Sequence, residues 1–509
     1  MKNLKVRLVV LGIPLLLLAW FFRPFFHDFI MSLYISPLQI LFFGLLIAGI
    51  YFLVKKVGKL RFVRTGIGAF SIQPVKDISN KTTALYSVLF VFILFITILG
   101  LSFESEIRYY LAARQIDFTN RETIPEMDSI RLTPKPVAAR YAQDTFQSPQ
   151  ETLGDSQIVL EKGKLVRVFP RIPDGALLYF INKLSGFVTV DVNTLERKVS
   201  ISDQQFKYSD GIGITDNIYF QLIKKKYFVT YSSEPIYLKD DSGKWQTIVP
   251  YISYKNFPFR VPYWGGVMVV HSDGSIEDMS PEQAAKVSYM KGNRIYPKEL
   301  TNYYTESYAY KNGLINKWFL HKNETEIVSL EGDETIIHAS TKEGFKQIVV
   351  AEPYGRSYGI YKIFIIDATT GAREIIEYNQ SSQLTGPIAA ADYIRKSFPT
   401  YNWNNFTLSE PRPMNIRGDL YWLLSVIPND SAGIATTVLL DAKTNKVTEV
   451  KTEEELKLFI TGQPVEVKTE STNANTKDSN TEINTKIDQI INDLNSLKKS
   501  LELTPTPNN

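Results

Sequence analysis

The chain contains no cysteine among its 509 residues, which excludes disulfides, thiolate metal sites and a cysteine nucleophile. Histidine is nearly as scarce. His27, His271, His321 and His338 are scattered, and none has the paired spacing of a metalloprotease helix. A Gly-x-Ser-x-Gly elbow and a phosphate-cradling glycine loop are missing too. Ser288-Tyr-Met-Lys291 matches a Ser-x-x-Lys spacing but lacks the Ser-Asp-Asn and Lys-Thr-Gly partners that would give it meaning. No catalytic residue, cofactor-binding residue or metal ligand is therefore expected. Excess charge is also lacking: a net +4 is too small to argue for a nucleic-acid partner, and the basic residues concentrate near the membrane segments described next.

Long apolar runs are present, and all fall within the first 103 residues. Residues 8–26 reach spanning length only if Arg23 snorkels toward the headgroups, whereas 31–54 and 84–103 are free of charge for about 20 residues each, enough for a hydrocarbon core. The first run could be a signal peptide, but Trp20, Phe21, Phe22 and Arg23 follow it in place of a small-residue cleavage site. The loop from 55 to 83 carries Lys55, Lys56, Lys59, Arg61, Arg64, Lys76 and Lys81 against Asp77 alone. By the positive-inside rule this loop and the N-terminus are cytoplasmic, and residues 105–509 are extracytoplasmic. Residues 1–104 are thus expected to form a three-helix, multi-pass anchor in the lipid bilayer.

The remainder is rich in Tyr and Phe with frequent Gly and Pro turns, which predicts an α+β, strand-rich region held by its core alone. Self-comparison gives its organisation. Strands ending in Asp recur at Gly186–Asp191, Lys362–Asp367 and Thr437–Asp441, each with Thr three residues later (Thr194, Thr370, Thr444) and a second extended run beyond. Asp at that position can accept the N–H groups of a hairpin turn, Thr can cap it, and Gly371 or Asn445 can take the positive φ; Leu195 does not fit. These residues are read as structural. Two copies are preceded by helices that open with Pro136 and Pro387 and carry apolar stripes, Ala138, Tyr141, Ala142, Phe146 and Ile388, Ala391, Ile394, Phe398. A helix on a small antiparallel sheet is the expected unit.

Residues 385–450, with paired alanines, the Tyr421-Trp422-Leu-Leu-Ser-Val strand and the Asp441 hairpin, resemble PepSY modules, small helix-plus-sheet domains of bacterial envelope proteins. Residues 133–199 resemble a diverged copy, and 340–376 resemble the sheet half. The resemblance implies a regulatory, inhibitory or binding role in the envelope and no catalytic residues.

This gives a domain plan: 105–200, a connector helix and first module; 201–330, a central aromatic region; 331–461, a second PepSY-like region; 462–482, a solvated linker; 483–503, a heptad helix; and 504–509, a disordered end. Residues 201–330 match no module. Tyr254, Phe257, Tyr263 and Trp264 in that region form a candidate ligand groove, although aromatics at strand spacing commonly pack a sheet face. In the tail, Ile483, Ile487, Ile490, Leu494, Leu497 and Leu501 keep a heptad pattern that could pair copies of the chain through residues 483–501. The expected function is a membrane-anchored envelope protein that binds a protein partner or ligand in a regulatory or scaffolding role. The alternatives are an envelope hydrolase with its site in 201–330 and a structural subunit of a larger membrane assembly.

Overall fold

The computed structural model describes residues 20–57, 60–66, 69–74, 80–328, 335–355, 359–378, 384–430 and 433–462, with side chains outside 52–87. The expected helix over 8–19, the linker beyond residue 462, the heptad helix and the C-terminal end lie outside the described residues.

The apolar run 31–54 is divided in two. Helix His27–Ile35 stops at Ser36, whose φ of −121° and ψ of 74° leave the helical region, and Pro37 follows without an N–H to continue the ladder. Helix Leu38–Val57 then leads into the antiparallel hairpin Leu60–Gly66 and Ala69–Pro74, and helix Asn80–Ser102 returns alongside it. Gly49 lies under the Phe90 ring, where a Cβ would stand 2.7 Å from the ring. A break at Phe103 precedes helix Glu104–Gln115. Among the described residues no single helix is both long and apolar enough to cross a membrane. Two bent pairs meet that test together, Arg23–Ile35 with Leu38–Tyr51 at 95° and Val88–Ser102 with Glu104–Gln115 at 53°.

The rest is mixed α and β, built on four mainly antiparallel sheets that share one strand order. In each, two short strands pair with successive halves of one long strand, and two further strands follow. The long strands are Lys164–Pro173, Trp245–Lys255, Gly344–Pro353 and Asp419–Pro428. Pro173, Pro353 and Pro428 each stand opposite the first residue of the first short strand (Glu151, Thr325, Phe406). Helices Lys135–Thr145, Ile218–Lys225, Lys298–Ser307 and Pro387–Ser397 precede the four sheets in turn. Residues 201–330 therefore hold a complete sheet of this order and the helix that precedes the third. The third sheet is widened to seven strands by Thr119–Asn120, parallel to its edge, and by Met127–Ser129.

Consecutive sheets share cores. Phe187 and Val168 of the first meet Ile248 and Val267 of the central sheet. Ile252 and Val261 of the central sheet join Leu300, Tyr304, Val349 and Phe364. Ile348 and Ile365 of the third join Ala390, Ile394 and Trp422 of the last. The first helix returns to the last sheet: Val137 and Ala138 cluster with Ile427, and an Arg140 Nη1 donates to the Pro428 carbonyl at 3.0 Å. The four sheets thus close a ring.

The hairpins between fourth and fifth strands follow from their Asp residues. Asp367 Oδ1 accepts from Thr369 N at 3.0 Å and Thr370 N at 2.7 Å, with Gly371 at φ 73°. Asp441 Oδ1 accepts from Lys443 N at 2.8 Å and Thr444 N at 3.1 Å, with Asn445 at φ 59°. Asp191 Oδ1 accepts only from Asn193 N, at 2.9 Å, while Thr194 Oγ1 caps Glu196 N at 3.1 Å. The first turn has no positive φ, as Leu195 requires.

Candidate functional site

The break between the two short strands recurs in every sheet, and the ring brings the four breaks together. Glu234 and Glu410 stand in the breaks of the central and last sheets, Gln157 opens the second short strand of the first, and Thr335 to His338 lead into and begin that of the third; together they line a cavity of about 300 Å³. Its described wall is densely charged. Among the described residues Arg131, Lys135, Arg167, Arg294 and Lys298 line it together with the carboxylates Glu234 and Glu410.

Each cation is aimed by backbone. Arg131 follows the edge strand Met127–Ser129, and its Nη2 lies 2.8 Å from Glu410. Arg167 is on the long strand of the first sheet and donates to Ser156 Oγ at 3.1 Å. Arg294 sits in a segment stitched to two sheets, because Asn293 exchanges hydrogen bonds with the Leu160 backbone at 2.7 and 3.1 Å and Ile295 N donates to Ala368 O at 2.8 Å. Arg294 pairs with Glu234 at 3.1 Å and donates to Gln157, and Lys298 bonds the same Glu234. Arg294 is 4% exposed and Arg167 5%. Behind this layer Arg412 donates to Ser425 Oγ at 2.8 Å.

The titration behaviour matches the crowding. Burial works to raise the Glu234 and Glu410 carboxyls, but the facing cations, Arg294 and Lys298 for the first and Arg131, Arg412 and Arg167 for the second, hold both below the usual range. Burial, and then Arg294, Arg131, Arg167 and Lys298, push the His338 imidazole well below its ordinary value, so it is neutral. Several nitrogens are left over: the Nε donors of Arg131, Arg294 and Arg412, and Nε2 of His338, are covered and have no hydrogen-bond partner. Such atoms are rare in folded proteins. Among the described lining residues the hydroxyls are engaged elsewhere: Ser156 Oγ accepts from Arg167 at 3.1 Å and Thr335 Oγ1 donates to Asn302 Oδ1 at 2.7 Å.

The aromatic residues proposed as a groove are divided. Tyr254 and Trp264 pack into the core shared with the third sheet, and Trp264 Nε1 closes on Gly266 O at 3.0 Å. Phe257 and Tyr263 are exposed instead; Tyr263 pairs with Ser253 on the opposite face from Trp264, and Phe257 sits in the following turn near Arg260. Nor do the hydrolase candidates converge. Ser288 Oγ donates to Asp241, His271 Nδ1 lies 2.8 Å from Gln246 Oε1, and Asp273 caps its own turn through Ser275 N at 2.8 Å.

A second contact zone joins the ring to the N-terminal helices. His27 Nε2 lies 2.9 and 3.1 Å from the carbonyls of Tyr227 and Val229, both acceptors, so this nitrogen carries the proton. Tyr227 Oη donates to Arg23 O at 3.1 Å, the Arg260 guanidinium lies 3.8 Å from the Tyr34 ring centroid, and Ser36 Oγ donates to Glu104. Around this zone the ring exposes Phe228, Phe257, Ile315, Phe319 and Leu320, and Trp318 stands 5.1 Å from Phe103.

Sequence reasoning missed the cavity. His338 was noticed only as a solitary histidine, and the charged residues come from four separated segments whose convergence depends on the ring. The Pro173, Pro353 and Pro428 strand ends were the available signal for the repeat. Neither the family models nor the curated proteins compared with this chain match it.

Proposed function

We propose that this chain is a membrane-anchored envelope protein that binds a partner or ligand in a regulatory or scaffolding role, with the 55–83 loop cytoplasmic and the ring extracytoplasmic. The units of the ring are PepSY-like in this reading. The observation that carries it is the cavity to which all four sheets contribute, whose described lining includes five cationic side chains. The membrane assignment draws support from the apolar collar of Phe228, Phe257, Ile315, Phe319 and Leu320. It surrounds the Arg23–Pro37 turn and Phe103, the ends of the helices that the positive-inside rule puts outside.

Absence of cysteine makes the topology directly testable. In intact cells a membrane-impermeant maleimide should label Ser242→Cys, in an exposed turn of the central sheet, and leave Ser71→Cys unlabelled until the membrane is permeabilised. Reversed or equal labelling would sink the orientation. For the binding role, proximity labelling around the full chain should return a small set of neighbours that disappears when residues 105–461 are deleted. An unchanged set would reject it.

A further inference from the structure

The segment Arg23–Ile35 has two unlike faces. Pro24, His27 and Met31 are buried and, spaced three and four residues apart, share a face with Tyr34. From that face His27 Nε2 reaches the carbonyls of Tyr227 and Val229 at 2.9 and 3.1 Å, and the Tyr34 ring stands 5.1 Å from Phe228. Phe22, Phe25, Phe26 and Phe29 keep the same spacing on the opposite side and are 39–62% exposed. Only Phe25 of these also meets the ring, with Phe220 at 5.6 Å.

The segment also lies across the direction of the helix that follows it, since Arg23–Ile35 meets Leu38–Tyr51 at 95°. Ser36, at that break, donates to Glu104, the first residue beyond the second break at Phe103. The apolar helices Leu38–Val57 and Asn80–Ser102, in contact at Gly49 and Phe90, therefore bend at one level. In the membrane reading above these two helices carry the crossing direction, and their shared bend marks the outer surface. A segment at right angles to that direction runs along the surface, and its side away from the ring faces the lipid. A helix with phenyl rings on one side and polar contacts on the other suits the boundary between headgroups and acyl chains. Trp20, with the Arg23 guanidinium 3.6 Å from its ring centroid, adds the aromatic and cationic pair common at that depth.

We propose that Arg23–Ile35 is an in-plane membrane seat, with Phe22, Phe25, Phe26 and Phe29 in the acyl boundary of the outer leaflet and the ring docked on its other face. The seat fixes which end of the ring meets the lipid. The long central strand Trp245–Lys255 has 11 residues and is about 35 Å long. Phe257 follows one end of it, beside Arg260, whose guanidinium lies 3.8 Å from the Tyr34 ring centroid; Ser242 precedes the other end. Phe257 is thereby held at headgroup level and Ser242 is lifted clear into water. The proposal rests on the membrane reading and specifies its lipid contact. It fails separately, because a stripe in water leaves the crossing helices and their topology untouched.

Because the chain has no cysteine, single substitutions can each carry one nitroxide label. The test places labels at Phe22→Cys, Phe25→Cys, Phe26→Cys, Phe29→Cys, Phe257→Cys, Ser242→Cys and Ile47→Cys in the full chain, reconstituted in phosphatidylcholine and phosphatidylglycerol vesicles. Collision rates with oxygen, which concentrates among acyl chains, and with a water-soluble nickel chelate on both sides of the membrane give each label's depth. The four stripe labels should lie about 5–10 Å below the headgroup boundary, with oxygen collisions favoured several-fold. Phe257 should sit near the phosphates, Ser242 in water, and Ile47, exposed midway along Leu38–Tyr51, deeper than the stripe. Phe25→Cys is the one stripe substitution that disturbs a ring contact, and the other three carry the test without it. Stripe labels as open to nickel as Ser242, with Ile47 still deep, overturn the seat and leave the anchor standing. Ile47 in water as well overturns both. Stripe labels shielded from both reagents would reveal a protein contact in place of lipid and also overturn the seat.

Discussion

The central and last sheets have the same strand order but very different sequences. In the last, helix Pro387–Ser397 presents Ala390 and Ile394, small enough for the helix to lie close over Trp422, whose indole N–H donates to Thr385 O at 2.8 Å. In the central sheet, helix Ile218–Lys225 presents Ile218 and Leu222 inward, while Phe220 meets Phe25 at 5.6 Å and Lys224 O receives Arg23. That second face exists because the helix also supports the Arg23–Pro37 turn. Strand order is therefore set by the broken short strand and its long partner, whereas composition is set by what each element must touch.

The largest test compares equivalent positions. Trp422 and Ile248 each lie three residues beyond the long-strand residue that pairs with the end of the second short strand, Asp419 opposite Ile416 and Trp245 opposite Lys239. Both side chains are wholly buried. Trp422→Ala should cost about 3–5 kcal/mol and Ile248→Ala about 2–4 kcal/mol in denaturant unfolding. Hydrogen exchange should separate them further. Loss of protection should spread to the third sheet in the first variant and to the first sheet in the second, following the shared cores. Loss confined to the mutated sheet in both would show that the ring is not cooperative.

Turn chemistry sharpens the same contrast. In the central sheet the corresponding hairpin is His271 to Ser275, with Gly274 at φ 88° and an exposed Asp273. Asp367 is held much more firmly: besides its turn donors it receives Lys346 Nζ at 2.9 Å, and that ammonium is 8% exposed. Asp367→Asn should cost about 2 kcal/mol at neutral pH because it strands a buried ammonium. Asp273→Asn should leave the melting temperature unchanged. Burial tends to raise the Asp367 carboxyl, but Lys346 and the turn donors hold it below the ordinary 3.8. Its contribution is then complete above the unfolded value and lost as pH falls through the lower folded value, so wild type and Asp367→Asn should converge only in strong acid. A gap that closes already near about pH 5 would refute the assignment.

These differences explain what the sequence could reveal. Asp367, Thr370, Gly371 and their counterparts act through their own neighbours in the chain, so turns and strand ends are legible. Paired alanines likewise mark the helices that lie close on a sheet. The central sheet is hidden because its hairpin turns on Gly274 and its helix is aromatic for the sake of contacts around residue 200 positions away. Arg131, Glu234, Arg294 and Glu410 are hidden more deeply, each in a break between elements, as is His338 in the strand Ile336–Thr341, and nothing local says that these segments meet.

The smallest expected effect concerns the long-strand residue before the terminal Pro. The first and last sheets have Ile172 and Ile427 there, opposite Thr152 and Thr407, while the third has Glu352 opposite Glu326. Burial first, and then the Glu326 charge, raise the Glu352 carboxyl to about 7. A folded-state value above the unfolded one reverses the sign found for Asp367: the folded form keeps a proton that the unfolded form has released. Stability from this group therefore declines as pH climbs from about 4.5 to about 7 and is level above that. Replacing Glu352 by Ile, the residue at the other two positions, should remove the slope and stabilise the protein by about 1 kcal/mol near about pH 8, allowing for the half-exposed carboxyl. Near about pH 5 the variant and wild type should melt almost together. Parallel melting curves across that range would mean that Glu352 is ionised throughout, and that the third sheet tolerates two facing charges where its neighbours require an apolar residue.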